Sequence, residues 1–391
     1  MKNRNLEIGQ FIILACILMP VLFLLNLLFI GYFNKVSLET TALLILNLSI
    51  IVAVFLLKRK NHFLKKNINA ASFIIGGIII AALFAPLIAP FAPDESFNKG
   101  ECRLLPPFAK KIILLQKENQ IKDNFFEAVI GDSVKITDKV LLYKKGKIAE
   151  FEKDQFQFSG TEIKTKNVFF IIGTDEMGRD LYSEVIYGAR LSLIVGISSA
   201  IVSFLIALFF SFISMFPYRI FDMVSNRISE MFLAAPSLFI IIFAISFFGN
   251  SLFSVILVLG ITSWMSLYKI LNVEIKRTIN KNFIISSFKL GISKNKIFFN
   301  EIIPLILPSI IVNLIFQIAN FIIVEASLSF LGLGPKFDYP SWGGILNSGI
   351  SYLSNAWWLL LFPGTLLFLT IITLNAAGVK IERNLNPLLN D

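Results

Sequence analysis

The chain has 391 residues, of which 55% are hydrophobic and only 16% are charged. Soluble domains carry about 25% charged residues, whereas several stretches here run through about 20 positions with almost no charge, the length of a membrane-spanning helix. A water-soluble protein is therefore excluded, and we expect an all-α polytopic membrane protein. The net charge of +10 does not indicate nucleic acid, because Lys and Arg gather at the cytoplasmic ends of membrane helices. One histidine and two cysteines are too few for a multi-ligand metal site or a disulfide framework.

Eight apolar segments predict eight transmembrane spans, numbered in chain order. Their bounds are 9–33, 41–57, 70–91, 189–216, 231–248, 252–271, 304–330 and 357–377. The first segment is longer than the apolar core of a cleavable signal peptide, so we interpret it as a retained anchor. Pro236 in span five and Pro363 in span eight are expected to kink their helices.

Orientation follows from short loops rich in Lys and Arg, which stay on the cytoplasmic side. Such loops lie between spans two and three, at 58–66, and between spans six and seven, at 276–296. The region 93–188 is then extracytoplasmic, the turn 217–230 is cytoplasmic, and both termini are cytoplasmic.

The outer region is polar and of mixed charge from 93 to 167, which indicates a small folded insertion. Alternating apolar residues on either side of the turn 144–147 predict a β-hairpin, with Gly146 supplying a positive φ. Cys102 lies in this region, and we expect it to react with a membrane-impermeant thiol reagent added from outside.

The segment between spans six and seven is too long for a tight turn and too regular for a plain loop. Its apolar spacing predicts a helix, a break at Gly291 and a second helix. Two short helices beneath a membrane can lie on the lipid surface or dock into a groove of a cytoplasmic partner, and the periodicity favours neither.

The segment between spans six and seven also contains a motif known from a protein family. The run from Phe283 to Gly291 is followed, after nine intervening residues, by Glu301-Ile302-Ile303-Pro304. This spacing resembles the "EAA" loop of binding-protein-dependent ABC importer permeases, with Ile285-Ser286-Ser287 in place of Glu-Ala-Ala. The resemblance implies that this loop couples the permease to an ATPase. The residues implied in that contact are Ile285, Ser286, Ser287, Gly291, Ile303 and Pro304.

A second motif lies just before span four. The octet Gly173-Thr174-Asp175-Glu176-Met177-Gly178-Arg179-Asp180, followed by Tyr187-Gly188-Ala189-Arg190, resembles the signature of the second, "C-type" permease of dipeptide, oligopeptide and nickel importers. Gly173, Thr174, Asp175, Gly178, Arg179 and Asp180 are its candidate site residues. They form either a docking surface for a solute-binding protein or a self-contained loop clamp at the mouth of span four.

The resemblance implies a six-helix permease core to which this chain adds two N-terminal transmembrane helices and a small extracytoplasmic α+β insertion. The expected divisions are a transmembrane hairpin (1–66), the first core helix (67–92), the insertion (93–172) and the permease core (173–391), with its coupling loop at 272–303. The implied location is the cytoplasmic (inner) membrane. The implied partners are a second homologous permease, two ABC ATPases, an extracytoplasmic solute-binding protein and the lipid bilayer.

The implied function is the translocation subunit of an ATP-driven importer of peptides or a related small solute. The chain has no G-x-x-x-x-G-K-[ST] phosphate loop, so ATP and Mg²⁺ are expected on the separate ATPase subunits, with no catalytic residue, cofactor or metal in this chain. Two other classes compete with this reading. An ion-coupled secondary transporter should show internal repeats and several buried acids, and a membrane scaffold has no need of the coupling loop.

Glu325 is the acidic residue in the body of span seven. Ionisable groups at membrane depth usually face a cavity or a partner, so Glu325 is a candidate pathway residue, unless the span ends earlier and places it at the interface. Trp342, Trp357 and Trp358 are expected at the outer interface as membrane anchors.

Overall fold

A computed structural model of the chain describes residues 70–385, except 115–128, 137–138, 145–146, 153–155, 157, 160–161, 164, 216–218, 235 and 338–339. Predicted spans one and two, and with them the N-terminal hairpin 1–66, lie outside the described residues.

The helices are α1 (Ala70–Leu83), α2 (Ala85–Ile88), α3 (Lys99–Cys102), α4 (Leu181–Ser214), α5 (Arg219–Ala234), α6 (Ser237–Phe248), α7 (Leu252–Ile279), α8 (Asn282–Lys289), α9 (Lys294–Ile297), α10 (Ile303–Phe330), α11 (Trp342–Ile350) and α12 (Trp358–Leu385). A π-helical turn, Phe298–Ile302, joins α9 to α10. The strands are β1 (Ala109–Leu114), β2 (Val129–Gly131), β3 (Ser133–Ile136), β4 (Val140–Lys144), β5 (Lys147–Phe151), β6 (Phe158–Ser159), β7 (Glu162–Ile163) and β8 (Thr165–Phe170).

Among the described residues, four helices are long and apolar enough to cross a membrane: α4, α7, the continuous helix Lys294–Phe330, and Trp358–Arg383 within α12. Helices α5 and α6 add a fifth crossing if the bent pair counts as one span. The expectation of a polytopic helical membrane protein is confirmed at this level.

The predicted bounds of spans three and four were wrong. In place of a helix that runs to residue 91, α1 ends at Leu83 and the short α2 follows, because Pro86 has no N–H with which to continue the ladder. Span four begins two turns earlier than predicted, at Leu181, where the Asp180 carboxylate caps the helix. Glu184 and Arg190 interrupt the apolar run in this segment, yet both side chains are buried.

Span five is broken rather than kinked. Pro236 has an extended backbone and begins α6, and the axes of α5 and α6 differ by 89°. The predicted turn 217–230 was also wrong, since its residues from Arg219 onward belong to α5. Span six continues as α7 to Ile279, so the segment that links it to span seven begins later than residue 272.

Helix α4 packs against both α7 and α10 through small residues. A Cβ on Gly260 of α7 would lie 2.5 Å from the Val202 side chain, and one on Gly196 would lie 2.8 Å from Ile322. The Gln317 amide donates to Ser203 Oγ at 2.7 Å, which adds a polar link between α10 and α4. Close packing at small residues and hydrogen bonds between helices are the interactions that hold helices together in lipid.

The insertion contains two three-stranded antiparallel sheets, ordered β2-β1-β8 and β3-β4-β5, and the β6-β7 pair. The predicted hairpin is confirmed as β4 paired with β5, with Val140 opposite Phe151 and Lys144 opposite Lys147. Cys102 is fully buried beside Phe97 and Phe170. The expectation that Cys102 would be accessible to a thiol reagent was therefore wrong.

Candidate functional site

The coupling hairpin, residues 281–304, has the predicted helix, break and helix. Gly291 has a φ of +77°, and its N–H bonds to the Phe288 carbonyl while the Ile292 N–H bonds to the Ser287 carbonyl. These bonds end α8 in a left-handed turn. A Cβ on Gly291 would meet nothing within 4 Å, so the backbone conformation, not space, requires glycine here.

The second half of the hairpin is not a separate helix. Residues Lys294–Phe330 form one continuous 37-residue helix through the π turn, so the hairpin is one end of a helix long and apolar enough to span a membrane. Ser287 Oγ donates to Glu301 Oε2 at 2.9 Å and ties α8 to this helix. Glu301 was not among the predicted site residues, and its position in the motif could have drawn attention to it.

The hairpin has one buried and one exposed side. Ile284 and Phe298 are buried against the inner end of α7, which fixes the hairpin to the bundle. Its exposed large apolar side chains are Phe283, Ile285, Leu290 and Phe299, of which Leu290 is 79% exposed. The result is a rigid projection with an apolar tip, a shape suited to docking into a groove of another protein.

The structure divides the predicted coupling residues between these two sides. Ile285, Ser286 and Gly291 are exposed, and Ser287 is half-buried because its hydroxyl bonds to Glu301. Ile303 is buried, and it stands with Pro304 in the first turn of α10. Because Pro304 has no N–H to donate within the continuous helix, it interrupts the hydrogen-bond ladder directly after the π turn.

The octet forms a closed outer clamp, residues 173–180, around the buried carboxylate of Asp175. Arg179 donates from Nε and Nη2 to Asp175 Oδ2 at 2.8 and 2.6 Å, and Nη2 lies 2.9 Å from Glu184 Oε1. The backbone N–H groups of Met177 and Arg179 donate to Oδ1 at 2.9 and 2.7 Å. This geometry matches the self-contained clamp of the two readings.

Other octet residues join the clamp to its neighbours. The Thr174 hydroxyl donates to the Cys102 carbonyl and accepts from the Leu105 N–H at 2.8 Å, so the insertion is tied to the octet. Asp180 Oδ2 accepts from the N–H and hydroxyl of Ser183 at 2.9 and 2.7 Å and thereby caps α4. Gly173 and Gly178 have φ values of +90° and +76°, which explains both glycines.

Burial and neighbouring charges shift the pKa values of Arg179 and Asp180. Burial opposes the charge on Arg179, but the carboxylates of Glu184 and Asp175 outweigh burial and raise the pKa of Arg179 above its ordinary value. Burial raises the pKa of Asp180, and the hydrogen bonds from Ser183 oppose that rise. Glu184 is a site residue that the sequence analysis missed, because its buried position beside Arg179 is set by the fold.

Glu325 lies fully buried where α4, α10 and the start of α11 meet. Its carboxylate accepts from Ser192 Oγ at 2.9 Å and from Ser329 Oγ at 2.6 Å, and Ser341, the N-cap of α11, also bonds to it. This closed arrangement argues against a place at the lipid interface and favours an anchoring role over contact with a passing solute.

The tryptophan assignments need correction. Trp342 and Trp358 are buried, and their indole N–H groups donate to the carbonyls of Val185 and Thr174 at 2.9 and 3.1 Å. They fasten α11 and α12 to α4 and the octet, so their assignment as membrane anchors was wrong. Trp357 is 49% exposed, which suits an interfacial position. Within the part of the chain that the structure describes, no cluster of three or more His, Cys, Asp or Glu side chains could hold a metal ion.

Comparisons with known proteins agree with this architecture. The family "Binding-protein-dependent transport system inner membrane component" matches residues 195–390, which include the coupling hairpin and Glu325. The dipeptide transport system permease protein DppC of Bacillus subtilis (strain 168) is 32% identical over 218 residues, 56% of this chain and 68% of the relative. The di/tripeptide transport system permease protein DppC of Pseudomonas aeruginosa (strain UCBPP-PA14) is 30% identical over 222 residues, 57% and 73% of the two chains.

The oligopeptide transport system permease protein OppC of Haemophilus influenzae (strain ATCC 51907 / DSM 11121 / KW20 / Rd) is 31% identical over 223 residues, 57% of this chain and 72% of that relative. The matched family, the identities of 30% to 32% and the apolar spanning helices all lead to one assignment. The chain belongs to the family of inner-membrane components of binding-protein-dependent transport systems, in which it is a multi-pass permease subunit.

Proposed function

We propose that this chain is the translocation subunit of an ATP-driven importer of peptides. Three relatives are named for dipeptide, di/tripeptide and oligopeptide transport, which supports a peptide substrate. The importer also contains a second homologous permease, two ABC ATPases that bind ATP and Mg²⁺, and an extracytoplasmic solute-binding protein. The observation that carries the mechanism is the coupling hairpin, which is rigid, apolar at its tip and continuous with a spanning helix.

In this proposal, the ATPases move the permease by acting on the coupling hairpin. The exposed side chains of Phe283, Ile285 and Leu290 insert into a groove of an ATPase, and closure of the ATPases on ATP moves them. The buried Ile284 and the bond between Ser287 and Glu301 prevent the hairpin from bending independently of the membrane helix. When the ATPase moves the tip of the hairpin, α10 therefore moves with it.

The membrane topology follows the positive charge. The hairpin segment carries Lys281, Lys289, Lys294 and Lys296, which favours a cytoplasmic location. The helix Lys294–Phe330 crosses to the other side, so the outer clamp and the insertion are extracytoplasmic, and the C-terminus after α12 is cytoplasmic. The solute-binding protein delivers its peptide on the clamp side.

The test is reconstitution into proteoliposomes, with the chain either alone or purified with its native partner subunits. We expect the complete assembly to accumulate a radiolabelled tripeptide when ATP and the binding protein are supplied, and the single chain to neither hydrolyse ATP nor transport. Uptake by the single chain driven by a proton or sodium gradient would overturn the proposal in favour of a secondary transporter.

A hairpin variant sharpens this test. Leu290→Asp places a charge at the apolar tip and should reduce co-purification of the ATPase, because a buried unpaired charge opposes docking. Lys289→Gln is the matched control, since it changes an exposed neighbour whose charge is screened by solvent. Equal retention of the ATPase by both variants would show that the tip is not the contact.

A further inference from the structure

The helix that begins at the coupling hairpin ends in a buried polar cluster on the other side of the bundle. Glu301, near its inner end, and Glu325, near its outer end, are separated by about 36 Å along the helix axis at 1.5 Å per residue. Each carboxylate accepts a hydrogen bond from a serine of another helix, Ser287 of α8 and Ser192 of α4. One continuous helix therefore links the hairpin to the Glu325 cluster.

At the outer end, α11 is seated directly on α10. A Cβ on Gly343 would lie 2.2 Å from the carbonyl oxygen of Ala326, and a Cβ on Gly334 would overlap the Ser329 side chain. Helices α10 and α11 are thus in backbone contact at the residue after Glu325, and the loop that joins them packs onto Ser329, one turn further along α10. Ser341 caps α11 and also bonds to Glu325, so the carboxylate reaches the start of the outer helix.

The same region holds the outer connections of other helices. The Asn250 side chain, between α6 and α7, donates to the Gly334 carbonyl at 3.0 Å, and the Lys336 N–H donates to the Asn250 carbonyl at 2.9 Å. Trp342 joins α11 to α4 through Val185. Helices α4 and α10 and the start of α11 therefore meet around one buried carboxylate, and the connection before α7 bonds to the loop that follows α10.

We propose that Glu325 is a positioning residue that makes the outer helix α11 and the outer part of α4 move together with α10. Movement of the hairpin by the ATPases then opens or closes the outer side through this carboxylate, which itself touches no solute. This inference rests on the proposed function, because it assumes that the hairpin is driven by ATP.

The experiment uses the complete importer in proteoliposomes and measures three quantities for each variant: subunit assembly, ATP hydrolysis and tripeptide uptake. In Glu325→Ala we expect assembly and hydrolysis to persist while uptake per ATP falls about tenfold, the size of a typical coupling energy. Ser341→Ala removes the bond between Glu325 and the start of α11, together with the side-chain cap of α11, and should lower uptake per ATP in the same direction by a smaller factor.

Two further variants separate positioning from other roles. Glu325→Gln keeps an acceptor for one serine and offers N–H groups to another hydroxyl, so it should restore most of the uptake per ATP. Ser327→Ala is the matched control on the same helix, where the hydroxyl donates only along its own helix to Ile323, and it should behave as the wild type.

Several outcomes would overturn the inference. If Glu325→Ala lowers hydrolysis and uptake in equal proportion, the residue supports folding without transmitting movement. If Glu325→Gln raises the KM for peptide while Ser341→Ala does not, Glu325 contacts the solute. If Glu325→Ala fails to assemble, the other two variants test the inference. It requires a lower uptake per ATP in Ser341→Ala and nearly wild-type uptake per ATP in Glu325→Gln, and any other pattern contradicts it. Failure of the wild-type assembly to couple uptake to ATP would instead reject the proposed function.

Discussion

The two ends of the long helix Lys294–Phe330 differ in how far their surroundings are buried and hydrogen-bonded. At the hairpin end, the Ser287 hydroxyl donates to Glu301 and ties α8 to the helix, while Leu290 at the tip is 79% exposed. At the outer end, Glu325 is fully buried and bonds to serines on α4, α10 and at the start of α11.

The difference follows from what each end does. A docking surface must leave apolar side chains uncovered until a partner arrives, and it gains affinity when they are buried. A connection that transmits movement must have no unsatisfied polar group and no loose packing, because the interior otherwise absorbs the displacement. The exposed hairpin end is thus suited to the proposed contact with a partner, and the buried Glu325 end holds its neighbouring helices together.

The largest expected effect tests which side of the membrane each end occupies. Lys139→Cys, on the insertion, should react fully with a membrane-impermeant maleimide in spheroplasts, since this side chain is 62% exposed. Lys289→Cys, on the hairpin, should react only after the membrane is ruptured. Cys102 is buried and should remain a low background in both variants. The reverse pattern of labelling would invert the topology.

The packing at the outer end is tested by two adjacent glycines. Gly343→Ala forces a Cβ into the Ala326 carbonyl and should cost about 3 kcal/mol, at the upper end of overpacking, together with loss of uptake. Gly344→Ala meets a Pro340 side-chain carbon at 3.3 Å and Ser341 Oγ at 3.9 Å, and it should cost far less. Thermal unfolding of the purified assembly measures both, and equal midpoints would contradict the close seating of α11 on α10.

A smaller effect is expected at the inner end. Gly291→Val must adopt a φ of +77°, which costs about 1–2 kcal/mol of backbone strain, and it should weaken ATPase association while the spans stay inserted. Gly291→Asn is the matched control, because asparagine tolerates this conformation. Lys294→Gln should change much less, because it leaves the backbone turn at Gly291 unaltered. If Gly291→Val transports normally and Lys294→Gln fails, the hairpin acts through surface charge.

The smallest effect concerns pH at the cap of α4. Because burial raises the pKa of Asp180 in the folded state, the folded protein holds this proton more tightly than the unfolded chain does. The contribution of Asp180 to stability is therefore largest below its unfolded pKa of about 3.9 and is lost as pH rises through the raised value. In Asp180→Asn this loss should disappear, and at neutral pH the two caps should differ by about 0.5 kcal/mol. Unfolding midpoints of both proteins across pH 4–7 check this, and parallel profiles would contradict it.

Local pattern determined much of this protein. Apolar runs of membrane length, the break at Gly291, the β4–β5 hairpin and the ion pair of Asp175 with Arg179 all depend on residues close in sequence, and the structure contains each of them. Such features follow from helix length, turn conformation and neighbouring charges, which act within a few residues.

Only the tertiary structure decided the rest. Glu184, which was not predicted as a site residue, is buried inside α4 beside Arg179. Trp342 and Trp358 were predicted as membrane anchors but bond to carbonyls far away in sequence. A polar or aromatic side chain in a membrane helix has the same sequence signature whether it meets lipid headgroups, water or another helix. Its role is set by which distant backbone or carboxylate the fold brings within hydrogen-bond reach, as Ser192 and Ser341 are brought to Glu325.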